Sequence, residues 1–178
     1  MSEEIRIESL EFPLCVRFRP GMYVGDIVEP SVILREVVDN GTDEILLGHA
    51  NKIHIYHGEE NWVVDNGRGV PVYEIKKEGE MLGKTMAHMV WGALHSSSKF
   101  KDDAAIAGMN GLGSSCTNAL SSEFTGYINL SKKNSAEFPE YLKEMTAGKS
   151  TPVYIIRFQK GVVVGEEVIE MSESPKEV

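Results

Sequence analysis

Glu36, Asn40, Asp43 and Glu44 bring three carboxylates and one amide together at spacings of four and three residues. On a helix such positions stack along one flank. A carboxylate one turn before an amide, with another one turn after it, is more polarity than a helix needs merely to cover a core. An amide oxygen can join the oxygen shell of a magnesium ion, which keeps several waters. A carboxylate one turn away can orient and deprotonate a water for attack on a phosphoryl group. The plainer reading of the same pattern is a solvated acidic face.

Two further segments bear chemistry. In "VVDNGRGVP" Asp65 ends an apolar run, Gly67 and Gly69 flank Arg68, and Pro71 follows. Read plainly this is a surface turn around Asn66-Gly67. Read functionally, Asp65 is an acceptor at a pocket mouth, where a buried carboxylate selects an amino group because a partner lacking the donor leaves it unpaired. Glu44 can then hold Arg68 by a charge-assisted bond and fix the pocket wall. In "GMNGLGSS" glycines fall at 108, 111 and 113, directly before a helix. Glycine lets backbone N–H groups approach a ligand, and a helix start presents unpaired donors and positive dipole, so the segment can cradle phosphate. Glycine-rich turns before helices are also commonly structural. The segment is not a Walker loop, since no Gly-Lys-Ser/Thr follows, and its spacing is not that of a dinucleotide fingerprint.

The elements that must position these groups follow from periodicity and punctuation. Residues 31–48 read as a helix, with Ser31 as a cap, Val37, Val38, Ile45 and Leu46 as its apolar face, and Gly48 as its stop. Residues 51–58 and 61–65 alternate and read as strands joined by a turn at Gly58. "RPGMYVGD" (19–26) is a turn-rich hinge, 83–94 a helix, 95–115 a long loop rich in small residues, and 113–122 the start of another helix. Strands are expected at 124–130 and 153–159, with 132–152 an excursion holding a short helix and Lys160-Gly161 turning a hairpin into "VVVGEEVIEM". The tail after it is polar. Interleaved helices and hairpins predict an α+β fold, a two-layer α/β sandwich with helices on one face of a mostly antiparallel mixed sheet.

Bulk properties bound the answer. With 178 residues, 42% hydrophobic and 25% charged, the chain suits one domain with a real core. No apolar run reaches membrane-spanning length, and "MSEEIRIESL" lacks the order of a signal peptide, so a cytoplasmic address and no membrane partner are expected. Cys15 and Cys116 are isolated and the five histidines do not cluster with them, which suggests neither a disulfide framework nor a zinc site. A net charge of −9 argues against a general nucleic-acid binder, though not against an acidic module in a DNA-acting machine.

The acid-amide helix, the Asp-Gly-x-Gly bend and the glycine-rich segment occur here in the order found in the GHKL ATPases, which include type II topoisomerase ATPase subunits, heat-shock chaperones, mismatch-repair ATPases and histidine kinases. "RPGMYVGD" with "EVVDNGTDEILLGH", "VDNGRGVP", "LHSSSKF" and "GMNGLGSSCTNALS" narrows the resemblance to the ATPase domains of the DNA gyrase B and topoisomerase IV B proteins. It runs from about residue 5 to the chain end. "MNGLGSS" is closer to phage-type and eukaryotic-type enzymes, and "SSS" at 96–98 departs from the usual Ala-Gly-Gly, with a segment shortened after Phe100. The resemblance implies the Bergerat fold, ATP and magnesium as cofactors, and hydrolysis coupled to gate dimerisation and DNA strand passage.

The resemblance also implies roles. Glu36 is the general base, Asn40 the Mg²⁺ ligand, Glu44 the brace of Arg68, and Asp65 the acceptor of the adenine amino group. Gly69 and Pro71 shape the adenine slot. Lys99 and the backbone of Gly108, Asn110, Gly111, Leu112, Gly113 and Ser114 wrap the triphosphate, with Met109 and Leu112 serving packing or ligand contact. Asp43 is left to support Asn40 or to cap a neighbouring turn. Implied partners are ATP, a DNA-cleaving topoisomerase subunit, DNA through the full enzyme, and a second copy in a nucleotide-dependent homodimer. Against the family pattern, 1–178 reads as a domain truncated before its last strand and helix and lacking the transducer, so weak turnover is expected of the isolated chain. The rival readings are a stand-alone non-catalytic nucleotide-binding or regulatory module of the same fold, and a histidine kinase or chaperone, both disfavoured by "RPGMYVG".

Overall fold

A computed structural model of the chain describes residues 10–25, 29, 31–76, 81–94 and 112–173. Strands β1 (Ile53–Tyr56) and β2 (Trp62–Asp65) form an antiparallel hairpin, with Ile53 opposite Asp65 and Tyr56 opposite Trp62. Strands β3 (Glu123–Asn129), β4 (Pro152–Gln159) and β5 (Val162–Glu170) form a second sheet in that order. Every strand pairing among the described residues is antiparallel. The β4–β5 turn is Lys160-Gly161, with φ of 51° and 89°. Two successive left-handed residues match the twist of a tight hairpin, as the sequence predicts.

Five α-helices accompany the strands among the described residues: α1 (Leu14–Phe18), α2 (Ser31–Leu46), α3 (Met86–Gly92), α4 (Gly113–Leu120) and α5 (Glu140–Thr146). The larger core lies between the β3–β4 face and helices α3 and α5. Alternate residues Tyr154, Ile156 and Phe158 of β4 join Ile128, Ala87, Trp91 and Leu142 there, all buried. Trp91, Phe124 and Phe158 meet edge to face, with centroids 5.7 to 6.5 Å apart. Tyr127 of β3 meets Trp62 of β2 at 5.2 Å, which brings the two sheets together. A smaller core joins Val16 of α1 to Cys116 and Ala119 of α4.

Helix α4 is made of small residues, and five of its eight are buried: Ser115, Cys116, Thr117, Asn118 and Ala119. Small side chains let α1, α2 and α3 all approach it. Polar bonds fix the crossings. Thr117 Oγ1 donates to Ile33 O at 2.8 Å, Asn118 Nδ2 to Trp91 O at 2.9 Å, and Arg17 Nη1 to Ala119 O at 2.6 Å.

A buried polar cluster ties α3 to the second sheet. His88 Nε2 lies 2.9 Å from Glu166 Oε1, His88 Nδ1 lies 3.0 Å from Thr85 Oγ1, and Tyr154 Oη donates to Glu166 Oε2 at 2.6 Å. Burial pushes the Glu166 carboxyl up, but the bonds from His88 and Tyr154 outweigh it and hold its pKa at about 2. Burial pushes the neighbouring Tyr141 phenol up to about 12.

Three expectations change. The helix read over 83–94 starts at Met86, because residues 83–85 pair instead with 74–75: Gly83 N donates to Ile75 O, Ile75 N to Lys84 O, and Glu74 bridges Thr85. Leu14–Phe18, to which the sequence reading assigns no element, is helical. The apolar face assigned to α2 is covered only in part. Gly41 and Asp43 are its buried residues, while Ile45 is 38% and Leu46 72% exposed. Gly48 does end the helix region, in the left-handed conformation at φ 77°.

Candidate functional site

The polar residues of α2 share one side of the helix and divide along its length. Glu36 and Asn40, one turn apart, face the start of α4. Asn40 Nδ2 donates to Ser114 Oγ at 2.7 Å and to Glu36 O at 2.9 Å. With both amide hydrogens used, the amide plane is fixed and Oδ1 is the atom left for a ligand, a hard oxygen donor of the kind a magnesium ion takes. Gly113 brings α4 close to this flank. A Cβ at Gly113 would fall against the Glu36 carboxylate and 3.2 Å from Glu36 Cβ. Among the described residues the Glu36 carboxylate makes no hydrogen bond or ion pair. It is an uncommitted base beside the first turn of a helix, where unpaired N–H groups are found.

Glu44, two turns on from Glu36, serves the bend after β2. Its carboxylate takes Arg68 in a forked pair, Nη2 to Oε1 at 2.8 Å and Nε to Oε2 at 3.0 Å. It also accepts the Arg68 backbone N–H at 3.0 Å. Hydrogen bonding from Arg68 lowers the Glu44 pKa against the opposing effect of burial, and the same bond raises that of Arg68. The bend after β2 is thereby docked onto α2. Asp65 closes β2 and accepts Gly67 N–H on Oδ1 at 2.8 Å. A Cβ on Gly67 would crowd that oxygen at 2.7 Å and Glu44 Cβ at 3.0 Å, so glycine is what lets the bend turn under the two acids. Gly41 permits a matching approach from α2, since a Cβ there would sit 3.1 Å from Ile53 Cδ1 and 3.6 Å from Asp65 Cβ. Asp65 Oδ2 has no hydrogen-bond partner among the described residues.

Of the residues singled out from sequence, Glu36, Asn40, Gly113 and Ser114 come together at the α2–α4 contact, and Glu44, Asp65, Arg68 and Gly69 at the bend. Pro71 follows that bend, half-buried, and Leu112 stands half-buried ahead of α4. Asp43 is fully buried. Lys99, Gly108, Met109, Asn110 and Gly111 lie outside the described residues.

One residue at the bend has no signal in the sequence. Lys133, from the excursion between β3 and β4, donates from Nζ to Arg68 O at 2.8 Å and reaches Gly69 O at 3.4 Å. Nothing local marks a lysine 64 residues from its partner, and only the return of the chain after β3 reveals it. Among the described residues no group of three or more His, Cys, Asp or Glu is placed to hold a metal ion. The single amide donor at Asn40 fits an ion that takes its remaining ligands from waters and a phosphorylated ligand.

No protein-family profile matches the chain. Among curated proteins, the DNA gyrase B protein of Staphylococcus aureus is 40% identical over 129 residues, 69% of this chain and 19% of the relative. The DNA gyrase B protein of Staphylococcus epidermidis is 38% identical over 129 residues. The chain therefore spans 19% of the length of these curated relatives. Among solved structures, the 43K ATPase domain of Thermus thermophilus gyrase B, in complex with an aminocoumarin, matches with a TM-score of 0.59 and 27% identity over 92% of this chain and 36% of that one. The topoisomerase IV ATP-binding domain of Francisella tularensis, in complex with a small-molecule inhibitor, matches with a TM-score of 0.60 and 26% identity over 94% of this chain and 67% of that one.

Proposed function

The chain belongs with the GHKL-type ATPase domains of the type II DNA topoisomerases, and from that premise we propose that it binds ATP with magnesium and hydrolyses it to drive a topoisomerase gate. The single observation that carries the reading is the apposition of α2 and α4: a Glu36 carboxylate without a partner among the described residues, against Gly113, beside an Asn40 amide whose orientation Ser114 fixes.

In this reading Asp65 Oδ2 accepts the adenine amino group. The Glu44–Arg68 pair holds the bend that forms the wall of the adenine slot, with Gly69 and Pro71 shaping it. Asn40 Oδ1 is the protein ligand of Mg²⁺, and a bound magnesium ion would supply charge neutralisation at the phosphates. Gly113, Ser114 and Leu112, with Lys99, Gly108, Asn110 and Gly111, contact the triphosphate. Glu36 takes a proton from the attacking water as its oxygen bonds to the terminal phosphorus and the bond to ADP breaks. Asp43, buried in the helix, supports Asn40 or caps a neighbouring turn. The whole-protein roles are part of the same proposal: a nucleotide-dependent homodimer, a DNA-cleaving partner subunit, and DNA held by the full enzyme rather than by this acidic domain in the cytoplasm. Among the described residues no helix is long and apolar enough to cross a membrane.

Nucleotide binding and turnover by Glu36→Ala and Asn40→Ala, made in the intact protein, test the reading. Glu36→Ala keeps ATP affinity within a few-fold and abolishes hydrolysis, whereas Asn40→Ala weakens magnesium-dependent binding itself. Unchanged turnover in Glu36→Ala would remove it as the base. Tight ATP binding with no turnover in the intact wild-type protein would favour a non-catalytic nucleotide-binding module.

A further inference from the structure

Building on that reading, we propose that Lys133 is a positioning residue for the adenine end of the site, clamping by its carbonyls the Arg68–Gly69 bend that Glu44 holds by its N–H and guanidinium. The bend is held on both sides of Arg68. Glu44 takes the Arg68 N–H and guanidinium, and Lys133 takes the Arg68 carbonyl at 2.8 Å with Gly69 O at 3.4 Å. The ammonium is seated over the turn itself. A Cβ at Gly69, where φ is 64°, would lie 3.7 Å from Lys133 Nζ and 3.8 Å from Ile128 Cγ2.

The root of the lysine is built rather than free. Ser131 N donates to Asn129 Oδ1 at 2.9 Å, Lys133 N to Leu130 O at 3.0 Å, and Asn134 Oδ1 accepts Ala136 N at 3.1 Å. This anchors the loop to the end of β3. The Lys133 side chain is half-buried, and its burial lowers the Nζ pKa while Glu44 opposes that effect. An exposed lysine would keep its head in water, whereas this one aims it at backbone carbonyls. Lys132, its neighbour, is exposed. Asp65 and Gly67 lie one to three residues before the clamped peptide, so the clamp sets where the adenine acceptor stands without touching the ligand.

A clamp and a phosphate contact make different predictions. Calorimetry of the full chain with adenosine and with magnesium-ATP should show Lys133→Met weakening both by a similar factor, about tenfold, on the scale of a hydrogen bond to a charged group. Lys133→Arg, which still donates to carbonyls, recovers most of the loss, and Lys132→Met changes nothing. Amide hydrogen exchange of the ligand-free chain at residues 67–70 should quicken in Lys133→Met and not in Lys132→Met. Wild-type affinity together with unchanged exchange overturns the proposal. So does a loss confined to ATP and steep in salt, which would make Lys133 a phosphate contact. Wild-type chain that binds neither adenosine nor ATP would instead overturn the ATP reading on which the clamp rests.

Discussion

Asp65 spends one carboxylate oxygen on its own bend, through Gly67 N–H, and keeps the other uncommitted among the described residues. A carboxylate so held accepts an amino group and repels a carbonyl, so ATP should bind far more tightly than GTP. Asp65→Asn should lose about one to two orders of magnitude in ATP affinity. Equal calorimetric affinities for the two nucleotides would remove Asp65 from that role. Two residues past Ser114 stands Cys116, whose thiol is fully buried in the smaller core. Burial, reinforced by the nearby Glu36 charge, pushes its pKa up to about 11. The thiolate is the reactive species, so at about pH 8 a thiol reagent should label the partly exposed Cys15 and spare Cys116 in the folded chain. Mass-spectrometric labelling of both without denaturant would mean that the α1–α4 contact opens readily.

At the scale of elements, the site depends on close approaches that only small residues allow. α4 supplies the first at Gly113. The second lies deeper, where α3 lays Trp91 across β3 at Gly126. A Cβ on Gly126 would fall within the van der Waals envelope of the indole, 2.8 Å from Cε3. The ring cannot back away, because Phe124 and Phe158 pack against it edge to face. Gly126→Ala should therefore lower stability by about 1–3 kcal/mol, the usual cost of overpacking a filled core. Denaturant titration reads this directly, and an unchanged midpoint would mean that α3 can shift off the sheet. Since α3 also carries His88 and touches α4 through Asn118, nucleotide affinity should fall along with stability.

Across the whole molecule, the His88–Glu166–Tyr154 cluster links α3 to the two strands of the longest hairpin. Glu166 has a folded pKa of about 2, against an ordinary value of 4.5. A depressed carboxylate contributes stability above its unfolded pKa and loses it as pH falls through the folded one. The window is therefore from about pH 4.5 down to about 2. Glu166→Gln should be less stable than wild type near neutral pH, and the gap should narrow across that window. Thermal melts of the two chains from neutral pH down through the window check this, and a gap independent of pH would show that the cluster does not stand on the Glu166 charge. The net charge of −9 acts at the same scale, disfavouring DNA contact by this domain's surface.

Sequence alone determined the elements whose signals are local. Gly48 ends α2 because a left-handed residue is required there, and Lys160-Gly161 turns a hairpin because its twist demands two of them. Strands β1, β2 and β4, and the short helix within the excursion, are legible for the same reason: each depends on neighbours a few residues away. The four-and-three spacing on α2 likewise implied a polar flank, and the forked Glu44–Arg68 pair follows from two residue types that match in shape and charge. Tertiary structure decided which part of α2 faces what. Asp43 is buried and Leu46 exposed according to what packs against each position, which the helix's own periodicity does not carry. The helix read from residue 83 starts later because residues 74–75 claim 83–85 as strand partners. Lys133 meets its bend, and His88 meets Glu166, across 64 to 78 residues of sequence. No periodicity carries that information, since such pairings exist only once the sheets and helices have packed.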